Sequence, residues 1–140
     1  MLKPANNSQM QFDQHKFCLL CGNENPMSMR LKFVVDELTG KVSANFRSHL
    51  HLQGYTGIMH GGVICALLDS EMTNLLFSRG IKAVTGELNV KFHHSVPCTA
   101  EITVSAELSK AIDPLYLVNA ELHFQKSLMA SAQAKFMRTV

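Results

Sequence analysis

The sequence predicts an α+β domain in which an antiparallel sheet of six strands wraps around one long central helix. Six segments alternate apolar and polar residues with a period of two, which is typical of strands with one covered face. Only residues 61–79 form a stretch that is long and apolar enough to be the helix that covers that face. The 140-residue length and the 46% hydrophobic content favour a single globular domain.

The first 16 residues are polar and of mixed character, so we expect an N-terminal arm over residues 1–16 and a folded domain over residues 17–140. The start lacks the charged head and apolar middle of a signal peptide, and no uncharged apolar run approaches the roughly 18 residues of a membrane span. The net charge of +2 comes from scattered Lys and Arg side chains. We therefore expect a soluble cytoplasmic protein that binds neither nucleic acid nor membrane.

Two strands are predicted before the helix. A loop that begins with a C-x-x-C pair and contains Asn25-Pro26 leads into the first strand, residues 31–36. A turn at Gly40 then leads into the second strand, residues 41–48, whose apolar side chains stand at alternate positions.

Four more strands are predicted after the helix, at residues 86–94, 100–109, 116–126 and 128–137. In the first of these, Leu88, Val90 and Phe92 share one face, and Asn89 and Lys91 lie on the other. Because half-polar strands joined by short turns are typical of an antiparallel sheet, we expect the apolar faces of all six strands to pack on the helix.

The predicted helix carries a carboxylate, Asp69, within its apolar stretch. Burying an ionised carboxylate without a partner is costly, so such a group usually pairs, becomes neutral or marks a functional site. Its neighbours three and four residues away include no cation, although Thr73 could donate a hydrogen bond. Glu71 lies about 200° around the helix, so the two acids do not share a face. Asp69 is therefore a candidate catalytic residue, and the alternative is an Asp at an exposed helix edge or a subunit seam.

The tripeptide His60-Gly61-Gly62 stands where this helix begins. Glycines there leave backbone N–H groups unobstructed at the positive end of the helix dipole, where a developing oxyanion can bind. A tight turn capped by His60 is the simpler alternative. Gly61 and Asp69 are eight residues apart, which is about 12 Å along the helix axis, so both cannot contact one carbonyl group from the same chain. If they cooperate, the catalytic site has to form between two subunits.

Four cysteines are too few for a disulfide scaffold in a chain of this length. Cys18 and Cys21 form a single C-x-x-C, and neither a second C-x-x-C nor an H-x-x-x-H completes the four ligands of a zinc site. We therefore expect no metal and no cofactor. A zinc-stabilised interaction module that uses Cys18 and Cys21 is the alternative, which metal analysis of the purified protein would exclude.

Three stretches of the chain resemble a known family. The segments GYTGIMHGGVICALLD and TGELNVKFHHSVP are similar to those of hotdog-fold acyl-CoA thioesterases, in the group of the phenylacetyl-CoA and hydroxybenzoyl-CoA thioesterases. The segment CLLCGNENPMSMRLKF resembles the C-x-x-C-G-x-x-N-P segment of one branch of that family. The resemblance extends over about residues 17–138, and it implies the hotdog fold, in the strand and helix order described above.

The resemblance also implies a function, hydrolysis of an acyl-CoA thioester to the free acid and CoA by a homodimer or a dimer of dimers. Gly61 would donate its N–H to the thioester carbonyl, Gly62 would complete the helix end, and His60 would shape the loop and contact the carbonyl oxygen. Asp69 would act across the dimer as the general base or the nucleophile. A non-catalytic acyl-CoA-binding protein with the same fold is the alternative.

The resemblance also implies roles for Thr73, Thr85 and Gln53, whereas Lys91 is a candidate because of its place on the polar face of its strand. Thr73 would orient the carboxylate or its water, and Thr85 would help to place water. Relatives often carry Asn or Gln six residues before the His. This chain has Gly54 there, with Gln53 beside it as a candidate substitute in substrate binding. Lys91 is a candidate contact for a CoA phosphate, although a solvated lysine is the simpler account.

Overall fold

The fold consists of one long α-helix and an antiparallel sheet. The structure, a computed structural model, describes residues 2–4 and 14–139. In chain order its elements are β1 (Leu2–Pro4), β2 (Val34–Asp36), β3 (Val42–Arg47), α1 (Gly61–Ser78), β4 (Ala83–Phe92), β5 (Glu101–Ile112), β6 (Leu115–Phe124) and β7 (Ser127–Arg138). A 3-10 turn, Leu50–Leu52, precedes α1.

The strands form one sheet in the order β1-β2-β3-β5-β6-β7-β4, and all neighbours are antiparallel. The six predicted strands correspond to β2–β7, so the expected hotdog architecture is confirmed. β1 is an addition, because it lies within the residues expected to form a loose arm and pairs with β2. The rest of that expected arm, residues 5–13, lies outside the described residues.

The core lies between α1 and the concave face of the sheet, and α1 contacts β3, β4, β5, β6 and β7. Buried side chains alternate along the strands, as the period of two predicts. They include Val42, Ala44, Ile102, Val104, Val118, Ala120, Leu122, Ala132, Ala134 and Phe136. On the helix, Leu67, Leu68, Met72 and Leu75 are fully buried. Each such side chain contributes about 1.5–3 kcal/mol of hydrophobic free energy.

β4 is less covered than its sequence pattern predicts. It ends the strand order, so among the described strands only β7 pairs with it. Leu88 and Val90 are half-buried, and Phe92 is 54% exposed. The pattern identified correctly which residues share a face, but the position at the edge leaves that face only partly covered.

The ends of α1 are set by its caps. His60 is the N-cap, and its Nδ1 accepts a hydrogen bond from the Gly62 N–H at 2.8 Å. Arg79 is the C-cap, and its N–H donates to the Leu76 carbonyl at 3.0 Å. The predicted helix is therefore confirmed to within one residue. None of the helices in the described part of the chain combines the length and hydropathy that crossing a membrane requires.

Candidate active site

The N-terminus of α1 presents one backbone donor. The Gly62 N–H is occupied by His60 Nδ1, while the Val63 and Ile64 N–H groups donate to the His60 carbonyl. No described residue accepts a hydrogen bond from the Gly61 N–H, which lies at the first helical position. Of the two glycine amides, only that of Gly61 is therefore free to donate to a ligand, because the Gly62 N–H is used by the His60 cap. The expected role of Gly61 as oxyanion donor and the expected contact of His60 with the carbonyl oxygen stay predictions.

The loop before α1 forms a pocket in front of this donor. The pocket is lined by Gln53, Gly54, Tyr55, Ile58, Met59, His60 and Gly61. Gln53 Oε1 accepts a hydrogen bond from the Gly57 N–H at 3.0 Å, so the Gln53 side chain is anchored to the loop. Gly57 has a φ of +81°, which a residue with a side chain rarely adopts. Gln53 therefore borders the same pocket as Gly61, as the predicted substitute for a donor at Gly54 requires.

Asp69 lies on the same helix, about two turns after Gly61. Its side chain is half-buried, and its Oδ1 accepts a hydrogen bond from the Thr85 hydroxyl of β4 at 2.6 Å. The Thr73 hydroxyl donates instead to the Asp69 backbone carbonyl at 3.0 Å. Thr73 therefore does not bond to the carboxylate in this structure, and its other expected role, orienting the water, stays a prediction. The hydroxyl that orients the carboxylate belongs to Thr85, which was expected to position water.

The fully buried carboxylate of α1 is Glu71, not Asp69. Glu71 is 0% exposed, and neither of its carboxylate oxygens has a hydrogen-bond partner among the described residues. Burial away from water raises its pKa to about 9. The acid buried without a partner is therefore Glu71 and not the expected Asp69, and the two acids lie on different faces of the helix as predicted.

Cys65 stands one helical turn before Asp69. Its thiol is half-buried, and its pKa is raised by burial and, to a smaller extent, by the negative charge of Asp69. A thiol with a raised pKa carries little thiolate, the nucleophilic form, at neutral pH. Cys65, the residue four positions before Asp69 in the sequence, is therefore poorly suited to act as a nucleophile.

One strand contacts both parts of the site. Thr85, near the start of β4, holds the Asp69 carboxylate, and the ring of Phe92 at the end of β4 lies beside Gly61. A Cβ added to Gly61 would be 3.7 Å from that ring. Within one chain the donor and the acid remain about 12 Å apart along the helix. The structure thus joins each of them to the exposed edge of the sheet but does not bring them together.

Lys91 lies away from these residues. It lines a cavity on the outer face of the sheet with residues of β4, β5, β6 and β7, none of them another predicted site residue. The single chain therefore does not bring Lys91 to the pocket of Gly61, and its contact with a CoA phosphate stays a prediction.

A second cluster of reactive side chains surrounds the C-x-x-C pair. The potential ligand atoms of His15, Cys18 and Cys21 all lie within 4.8 Å of one another. The pKa of Cys18 is lowered to about 3, chiefly because the Cys21 thiol hydrogen-bonds to its sulfur and also because of a hydrogen bond with His15. No link between His15 and the cysteines was expected, because only a second C-x-x-C or an H-x-x-x-H was considered as a way to complete a zinc site.

Comparisons with known proteins agree with this fold. The model of the thioesterase superfamily matches residues 56–127. Acyl-coenzyme A thioesterase THEM4 of Mus musculus is 30% identical over 95 residues, which are 66% of this chain and 41% of that protein. The chain thus covers less than half the length of this relative.

Solved structures give the same result. A crystal structure of a thioesterase superfamily protein has a TM-score of 0.81 at 20% identity, covering 87% of this chain and 60% of that one. The smu.793 protein of Streptococcus mutans, crystallised with acetyl CoA, has a TM-score of 0.74 at 21% identity, covering 84% and 94%. At these identities the likeness establishes the fold.

Proposed function

The chain belongs to the thioesterase superfamily, and on that premise we propose that it hydrolyses an acyl-CoA thioester to the free acid and CoA. The observation that carries the proposal is that one helix bears both a free backbone donor and an accessible acid. The donor is the Gly61 N–H at the helix N-terminus, and the acid is the half-buried Asp69 carboxylate, which is held by a hydroxyl group. Thioester hydrolysis needs both parts, a donor for the developing oxyanion and a group that supplies or activates the nucleophile.

In the proposed mechanism the thioester carbonyl binds in front of α1 and accepts a hydrogen bond from the Gly61 N–H. Negative charge develops on this oxygen as the carbonyl carbon becomes tetrahedral, and the helix N-terminus stabilises that charge. The bond between His60 Nδ1 and the Gly62 N–H fixes the helix end, so the donor requires no reorganisation during the reaction. In this mechanism Gln53, whose Oε1 is anchored by the Gly57 N–H, supplies a further donor from its amide nitrogen.

Asp69 acts through the carboxylate oxygen that Thr85 does not hold. As a general base it takes a proton from the attacking water; as a nucleophile it attacks the carbonyl carbon, and water then hydrolyses the resulting anhydride. In both cases the thioester C–S bond breaks and CoA leaves as its thiolate. The hydrogen bond from Thr85 fixes the carboxylate rotamer for either role.

The site is proposed to form between two copies of the chain, because one chain separates its two parts. β4 is an exposed edge strand of ten residues, and such edges pair readily with another strand. If two β4 strands pair antiparallel about a two-fold axis between Leu88 and Asn89, Thr85 of one lies opposite Phe92 of the other. That register places the acid held by Thr85 beside the partner's helix start, which Phe92 adjoins.

Acyl-CoA is the proposed substrate class. The relative from Mus musculus is named an acyl-coenzyme A thioesterase, and the similar fold from Streptococcus mutans holds acetyl CoA. The four cysteines all lie in the described part of the chain and none of them forms a disulfide, which suits a reducing compartment and favours the cytoplasm. A non-catalytic acyl-CoA-binding protein is the competing function, and it predicts binding without turnover.

The test uses two variants that each damage one part of the site. Asp69→Asn removes the base or nucleophile. Gly61→Pro removes the N–H while keeping the helix start, because proline is well accommodated at the first helical position and His60 already has the extended backbone that precedes a proline. Its ring also adds carbon atoms beside Phe92, so Gly61→Ala, which adds a Cβ but keeps the N–H, is the matched control. Release of CoA from a panel of acyl-CoAs, followed with a thiol-trapping dye, should fall by about 10²-fold or more for each variant.

Mixing the two variants distinguishes a shared site from one within a single chain. A heterodimer of Asp69→Asn and Gly61→Pro contains one intact site out of two, and random exchange makes half of the dimers mixed, so about a quarter of wild-type activity should return. No recovery after verified subunit exchange, or an active monomer in sedimentation, would contradict the shared site. Acyl-CoA binding without turnover of any acyl-CoA by the wild type would favour the non-catalytic alternative.

A further inference from the structure

The cysteine loop, residues 14–24, is folded around its two thiols. The Gly22 N–H donates to the Cys18 carbonyl at 2.9 Å, and the Leu20 N–H points at the Cys18 sulfur at 3.4 Å. A Cβ at Gly22 would be 2.4 Å from the Cys18 nitrogen and 2.6 Å from the Lys16 carbonyl oxygen. Only glycine fits this turn, and the turn directs both sulfurs to one side, with a backbone donor supporting the Cys18 sulfur.

His15 completes a third position of the same cluster. Its Nδ1 lies 3.7 Å from the Cys21 sulfur. The imidazole ring packs edge-on against the Phe77 ring of α1, with a centroid distance of 4.6 Å and an interplanar angle of 80°. This aromatic contact holds the ring in place and leaves its nitrogen directed to the cysteines.

α1 adds a donor around the cluster. Asn74 is 2% exposed, and its side-chain nitrogen donates to the Ser70 carbonyl at 2.9 Å and lies 3.9 Å from the Cys21 sulfur. Donors to a thiolate sulfur are typical of the second shell of a metal site, where they orient the ligands. The three side chains are therefore surrounded by a backbone N–H of the cysteine loop and by an aromatic ring and an amide of α1.

The separation of the His15 and Cys21 ligand atoms matches a tetrahedral zinc ion, and the Cys18 sulfur lies within 4.8 Å of both. With a Zn–S distance of about 2.3 Å and a Zn–N distance of about 2.05 Å, a tetrahedral angle places sulfur and nitrogen about 3.6 Å apart. The observed separation of 3.7 Å needs almost no movement. Two thiolates and one neutral imidazole form a soft ligand set that favours Zn²⁺ over Mg²⁺ or Ca²⁺.

We propose that His15, Cys18 and Cys21 bind one Zn²⁺ ion, with water as the fourth ligand. All three side chains are half-buried, so solvent reaches the remaining coordination position. The ion fastens the cysteine loop to the C-terminal half of α1, because Phe77 and Asn74 contact its ligands. The proposal replaces the expectation of no metal, which rested on the lack of a second ligand pair in the sequence and did not foresee His15.

The first experiment measures metal in untagged protein that has been stripped with a chelator, reloaded with Zn²⁺ and dialysed. Elemental mass spectrometry should find about one zinc ion per chain in the wild type. The His15→Ala and Cys21→Ser variants should lose this zinc. Cys65→Ser, which removes a thiol outside the cluster, serves as the matched control and should keep it. Wild-type protein without zinc, or variants that retain it, would overturn the proposal.

A second measurement needs no variant. Zn²⁺ added to the stripped wild type should protect Cys18 and Cys21 from alkylation while Cys65 keeps its reactivity, as read from peptide masses. Equal alkylation of the pair with and without Zn²⁺ would refute the site. Recovery of Cys18 and Cys21 as a disulfide that Zn²⁺ does not prevent would also refute it. Neither readout depends on thioesterase activity.

Discussion

Replacing Glu71 by Gln tests how the core tolerates a buried acid. Glu71 is fully buried without a hydrogen-bond partner among the described residues, and its pKa is raised from 4.5 to about 9. At neutral pH the folded protein therefore holds this carboxyl group protonated, whereas the unfolded chain ionises it. The protein has to take up one proton on folding, so its stability depends on pH through this residue.

The sign and size of the dependence follow from the two pKa values. Because the folded pKa is the higher one, the stability linked to Glu71 is complete below pH 4.5 and is lost as pH rises towards 9. Each pH unit in that window costs about 1.4 kcal/mol. At pH 7 the loss is about 3 kcal/mol, and above pH 9 it levels off at about 6 kcal/mol. A glutamine amide cannot titrate, so Glu71→Gln should remove this dependence.

Urea unfolding at pH 5, 6, 7 and 8 measures the effect. The midpoint of the wild type should fall relative to that of Glu71→Gln by about 0.7 M per pH unit, taking a denaturant slope of about 2 kcal/mol/M. The two proteins should differ by less than about 1 kcal/mol at pH 5, converge below pH 4.5, and differ by about 3 kcal/mol at pH 7. Glu107→Gln, at an exposed position of β5, is the matched control and should track the wild type.

If the urea midpoints of the wild type and of Glu71→Gln changed equally with pH between pH 5 and 8, this reasoning would be refuted. They would mean that Glu71 is ionised or solvated in the folded protein. Glu71→Leu extends the test, because an apolar side chain of similar volume also removes the buried polar atoms. It should be at least as stable as Glu71→Gln at pH 7.

Two further predictions concern the hydroxyls near Asp69 and the turn at Gly22. Thr85→Val removes the hydrogen bond to the Asp69 carboxylate and should lower kcat of acyl-CoA hydrolysis by about tenfold, since a neutral-to-charged hydrogen bond contributes about 1.5 kcal/mol. Thr73→Val, which loses only a bond to a backbone carbonyl, is its control, and equal losses in the two variants would contradict the assignment. Gly22→Ala forces backbone atoms apart and should cost on the order of 2 kcal/mol, lowering Tm by roughly 5–8 °C, whereas an unchanged Tm would show that the turn can relax.

Much of the fold could be predicted from alternation alone, because the period of two marks the covered face wherever a strand lies inside the sheet. The prediction was less accurate at β4, where Leu88 and Val90 alternate correctly but are only half-buried. Alternation describes which residues share a face, not whether a neighbouring strand covers it. β1 was missed because three residues are too short to display a period.

The candidate site could be located from His60-Gly61-Gly62 and Asp69, but not its internal contacts. The partner of the Asp69 carboxylate, Thr85, is 16 residues away on another element, and only the packing of β4 against α1 brings them together. Helical spacing predicted Thr73 as the partner of the Asp69 carboxylate, because spacing within one helix gives no information about residues of other elements. His15 is close to the cysteines in sequence as well as in space, and it was not linked to them because only a second C-x-x-C or an H-x-x-x-H was considered.

The different environments of Asp69 and Glu71 follow from how α1 is rotated about its axis. The two residues are about 200° apart around the helix, so the rotation that buries one necessarily turns the other to the opposite side. A helix with a single apolar stripe would reveal that rotation in its sequence, but α1 is apolar on nearly every side, and the pattern fits either orientation. The packing of α1 in the folded chain decides it, because Glu71 is fully buried and Asp69 lies beside Thr85 of β4. The apolar side chains that surround Asp69 are then explained if a second copy of the chain covers the β4 edge, as the proposed shared site requires.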